Sequence, residues 1–104
     1  MSRGPDAGVL LERALTGQAR DAGVDMAIVS AGWTRWASAT FTGARHALVL
    51  TGTSSPALSE WLASLPEAEF ALRGHIVADL AVEHVERGPD ATRATIEVLT
   101  VEAR

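Results

Sequence analysis

Apolar residues recur at three- and four-residue intervals near the amino terminus. Leu11, Leu15, Ala19 and Ala22 form one stripe with Leu10 and Ala14 beside it, and Glu12, Arg13, Gln18 and Arg20 lie opposite. That period predicts a helix from Asp6 to about Ala22 with one buried face. Asp6 suits the N-cap, and Gly23 accepts the left-handed conformation that ends helices. Gly17 inside the pattern costs about 1 kcal/mol relative to Ala.

From Val24 to Thr53 the period shortens to two. VDMAIVSAGW, RWASATFT and RHALVLTG, separated by Thr34–Arg35 and by Gly43–Ala44, read as three consecutive strands. A two-residue loop at Thr34–Arg35 would set Trp33 opposite Trp36. Thr-Arg is poor chemistry for that turn, because neither residue favours positive φ, so a longer loop drawing in Gly32 competes with it.

The second helix is better punctuated. Ser55 caps it and Pro56 takes the first position, where a missing N–H costs nothing. Leu58, Trp61, Leu62 and Leu65 make the buried stripe, and Pro66 stops it.

The last third reads as a hairpin. RGPDAT is turn chemistry, and a loop centred on Pro89 sets Val82 against Ile96 and Leu80 against Val98. A one-residue slip would set Val82 against Glu97. Ile76, Ala78, Leu80 and Val82 then face the helices. Val77, Ala81, Leu99 and Val101 face away, beside His75, Asp79, Glu83 and Glu97.

The expected fold class is α+β, a two-layer sandwich of order α-β-β-β-α-β-β, one mostly antiparallel sheet with two helices on one face. Residues 1–5 are expected to be a flexible lead-in to a single domain over 6–104, with the fourth strand beside the first. No internal repeat is visible.

Composition chiefly excludes. At 104 residues, 47 % hydrophobic and 21 % charged, the chain can bury one core and is not disordered. Without Cys there is no thiolate nucleophile, thiolate metal site or disulfide; without Lys there is no Schiff base or phosphate-loop lysine. A net charge of −4 argues against nucleic acid as a partner. No apolar run is long enough for a membrane span and no secretory leader is visible, so a cytoplasmic location without membrane association is expected.

No catalytic residue, cofactor or metal site is assigned. His75, Asp79 and Glu83 share strand parity, but residues four apart on a strand lie roughly 13 Å from each other. TGTSS before Pro56 lacks the lysine and glycines of a phosphate loop and reads as a helix cap. Packing is the economical role for Trp33 and Trp36.

Valines and a leucine on an otherwise wet sheet face point to a contact with another surface. The expected function is therefore a small non-enzymatic module. It would self-associate through its sheet, most simply as a dimer, and would also offer a surface to a protein partner; Val77, Ala81, Leu99 and Val101 are the candidate interface. The alternative is a ligand-binding protein or enzyme with a cleft between helices and sheet, with Trp33, Trp36, Arg45, His46 and His84 as candidate lining.

Overall fold

A computed structural model describes residues 6–103; the expected lead-in over 1–5 and residue 104 lie outside the described residues. The elements are α1 (Ala7–Asp21), β1 (Met26–Ala37), β2 (Thr42–Thr53), α2 (Pro56–Ser64) with a 3-10 turn (Leu65–Glu67), β3 (His75–Arg87) and β4 (Ala91–Glu102). Both helix starts are as expected. Asp6 Oδ1 accepts from the N–H of Val9 at 2.9 Å, and Ser55 Oγ accepts from that of Leu58 at 3.1 Å. Gly23, at φ 74°, follows α1 in the conformation that favours glycine.

The class is the expected one, with one strand fewer. β1 runs straight through Thr34–Arg35, and the chain reverses at Ser38–Phe41 instead. Ser38 Oγ accepts from the N–H groups of Phe41 (3.0 Å) and Thr40 (3.3 Å), turn chemistry that Thr34–Arg35 cannot supply.

The sheet order is β1-β2-β4-β3 with every neighbouring pair antiparallel, so β3 lies at the far edge from β1 rather than beside it. The final hairpin keeps the expected register, Val82 opposite Ile96 and Leu80 opposite Val98. Bulges interrupt it between Val77 and Asp79 and between Val82 and His84; a third lies between Ile28 and Ser30 in β1. Each inserts a residue and so reverses which side chains face the helices.

That order makes two α-β-β halves around the central β2·β4 ladder. The halves correspond about fifty residues apart, except at the bulge between Val82 and His84, which β1 lacks. Ser38 N–H to Phe41 O corresponds to Gly88 N–H to Ala91 O, and Thr53 N–H to Asp25 O corresponds to Ala103 N–H to Gly74 O. Asp6 and Ser55 cap the two helices alike. A pseudo-two-fold axis therefore passes through the Ala47–Glu97 pair, perpendicular to the sheet. The repeat is one of backbone plan; the side chains diverge enough that the sequence shows none.

The core lies between the helices and one sheet face. Leu11, Leu15 and Ala19 of α1 join Leu58, Trp61, Leu62 and Leu65 over Leu48, Leu50, Leu80, Ala94, Ile96 and Val98. Trp61, 4 % exposed, donates its indole N–H to Gln18 Oε1 of α1 at 3.0 Å, so the helices are tied by a hydrogen bond as well as by packing. Ile76 does not join this core. The Ala78 bulge turns it outward, where it is 55 % exposed.

Candidate functional site

A cleft of about 100 Å³ opens at one end of the helix-covered face. Its wall is the start of α1 at Ala7 and Gly8, its floor is Ala44, His46 and Thr100, and Trp33, Arg35, His75 and Glu102 surround it. Strand alternation explains the set. Trp33 pairs with His46 and Arg35 with Ala44 on the inner parity of β1 and β2, while Thr100 is the next strand's partner of Ala44. His75 pairs with Glu102 at the end of β3.

His46 is almost fully buried, and its Nε2 lies 2.9 Å from Thr100 Oγ1. The Thr100 hydroxyl donates to Ala44 O at 3.4 Å. It can then accept from Nε2–H, which leaves Nδ1 as the unprotonated nitrogen. Burial pushes the His46 pKa below 6.5, the Asp6 carboxylate partly opposes that fall, and His75 adds to it. The ring is therefore neutral at pH 7. Arg35 makes no ion pair or hydrogen bond among the described residues, so its guanidinium is available at the mouth.

Of the residues expected to line a cleft, only Trp33 and His46 come together. Trp36 is on the opposite sheet face, because residues three apart on an unbroken strand point to opposite sides. Arg45 also faces outward and pairs with Glu97 at 3.4 Å. His84 is carried outward by the bulge before it and lies 3.9 Å from Glu86. Arg35, Thr100 and Glu102 were not expected, and His75, expected on the outer face, is brought to the inner one by the Ala78 bulge. Arg35 would have followed from Trp33 had β1 been read as continuous, whereas the others meet only through strand order and bulges.

Among the candidate interface residues, Ala81, Leu99 and Val101 do face away from the helices, but Val77 does not. The Ala78 bulge sets Val77 opposite Thr100, packed against the core, and brings out Ile76 in its place. One row across this open face runs Trp36, Gly43, Val101, Ile76, through all four strands. The next runs Thr34, Arg45, Leu99, Asp79, then Gly32, Ala47, Glu97, Ala81, and the far end carries Ala27, Thr51, Arg93, Glu86. Trp36 covers Gly43 so closely that an added Cβ would sit 3.0 Å from its Cε2, and its indole Nε1 is buried without a partner.

Among the described residues no three His, Asp or Glu side chains converge to hold a metal ion, and no helix is long and apolar enough to cross a membrane. Comparison with protein-family models, with curated proteins and with solved structures finds no match.

Proposed function

We propose that the chain is a small non-enzymatic module that self-associates face to face through the open side of its sheet, as a two-fold dimer. The observation that supports this is the apolar row Trp36, Gly43, Val101, Ile76, with Leu99 behind it, on the face opposite both helices. Four strands spaced by about 4.8 Å and some eleven paired residues long present roughly 700 Å² of plane. A standard interface buries about 800 Å² per partner, so one complete face is the right size for a modest dimer.

Charge favours one arrangement. A dyad parallel to the strands lays the apolar row of one copy on that of the other, whereas a dyad across them would set it against Arg93 and Glu86. Sheets stacked in the first way pack about 10 Å apart, at the roughly 30° that twist imposes. Arg45 and Glu97 enter the interface already paired, which limits the desolvation penalty. Cytoplasmic placement fits a chain without cysteine, and the same face would receive a protein partner.

Sedimentation equilibrium at micromolar concentration should give the dimer mass, and Val101→Glu should give monomer with an unchanged far-ultraviolet spectrum. A wild type that stays monomeric throughout that range removes the proposal.

A further inference from the structure

We infer that the cleft at the start of α1 is a binding site for a short-chain monocarboxylate, held by Arg35 against Trp33 over the His46–Thr100 floor.

The internal two-fold supplies the main reason. His46 and Thr100 are a diagonal pair on the inner face of the central ladder, equidistant from the pseudo-dyad with a second diagonal pair, Ile96 and Leu50. All four side chains are buried, with Ile96, Leu50 and Thr100 fully so and His46 nearly so. The same position in the same backbone plan is thus filled once by two hydrocarbon side chains and once by an imidazole and a hydroxyl. The apolar pair shows that the architecture does not need polar groups there. A buried hydrogen-bonded pair contributes little net stability over apolar groups of similar shape. The polar version sits where the sheet end is open to a cleft.

The surrounding groups define the ligand class. Arg35 is a permanent cation with no partner among the described residues, and a guanidinium matches a carboxylate with two parallel hydrogen bonds. Trp33, 58 % exposed, offers an indole wall for a short apolar chain. Glu102, which also lines the cleft, opposes every anion and a phosphate dianion twice as strongly as a monocarboxylate, so it favours the single charge that Arg35 can offset. A volume of about 100 Å³ admits only a few carbon atoms. The cleft is on the helix-covered side, so ligand binding there is independent of self-association on the open face.

The test is an NMR titration of the full chain with propionate, following the Trp33 indole and His46 ring signals, with propionamide and methyl phosphate as comparators. Saturable shifts with propionate, and much weaker ones with the neutral and dianionic probes, are expected. Arg35→Gln should weaken propionate binding about tenfold or more, as loss of a hydrogen-bonded charge does. The double variant His46→Ile/Thr100→Leu, which copies the pair across the pseudo-dyad, should melt at or above the wild-type temperature and bind more weakly. No saturable shift in the wild type, equal binding of propionamide, or an Arg35→Gln protein that titrates like the wild type would each overturn the inference.

Discussion

Replacing Trp61 with Ala probes the packing that joins the two layers. The side chain is 4 % exposed, so nearly all of it would be lost from the core. Such truncations cost about 3–5 kcal/mol, from lost transfer energy and the cavity left behind. The indole N–H bond to Gln18 adds about 1 kcal/mol. Gln18 is only half-buried, so its freed oxygen can find water and the added penalty stays small. A loss of about 4–5 kcal/mol is a large share of the roughly 5–15 kcal/mol that stabilises a domain. With a urea slope of about 2 kcal/mol per molar, the midpoint should fall by roughly 2 M, and the variant is expected to be partly unfolded in buffer. Glu60→Ala, one position away and exposed, should stay within about 0.5 kcal/mol of wild type. Trp61→Phe keeps most of the apolar area and should lie between. Urea midpoints read by circular dichroism decide the matter: equal, mild shifts for Trp61→Ala and Glu60→Ala would refute the packing of α2 described above.

Two further outcomes follow from single residues. Because burial lowers the pKa of His46, the unfolded chain takes up the proton first as the solution is acidified. Stability should therefore be full above about pH 6.5 and decline as pH falls below it, and His46→Leu should flatten that part of the profile in urea titrations at stepped pH; an unaltered slope would dismiss the explanation. Gly43→Ala should be strongly destabilising, since its Cβ would collide with the Thr100 carbonyl in the adjacent strand, whereas Gly32→Ala meets nothing within 4 Å and should be neutral or better by thermal melting.

Local chemistry alone determined both helices, their caps and their buried stripes, except that Ala22 is exposed at the C-cap of α1 and leaves its stripe. Asp6 and Ser55 act on neighbours three residues away, Pro56 fills a first-turn position that needs no N–H, and Leu58, Trp61, Leu62 and Leu65 need only helical geometry to share a face. The final hairpin was equally legible, because a slip would have set Val82 against Glu97. What depended on contacts distant in sequence was not. The first reversal moved from Thr34–Arg35 to Ser38–Phe41, since two long paired strands gain more ladder than three short ones and Ser38 can satisfy the turn. Bulges at Ala78 and Glu83 then exchanged the faces expected for Ile76, Val77 and His84, a one-residue insertion that no strict two-residue period can anticipate. The cleft depends on all of this at once. Trp33 and Arg35 share a parity only if β1 is unbroken, and Thr100 reaches His46 only because β4 lies beside β2. Sequence patterns report which side chains leave water, whereas strand order and bulges, set by the packing of the whole sheet, decide which of those side chains meet.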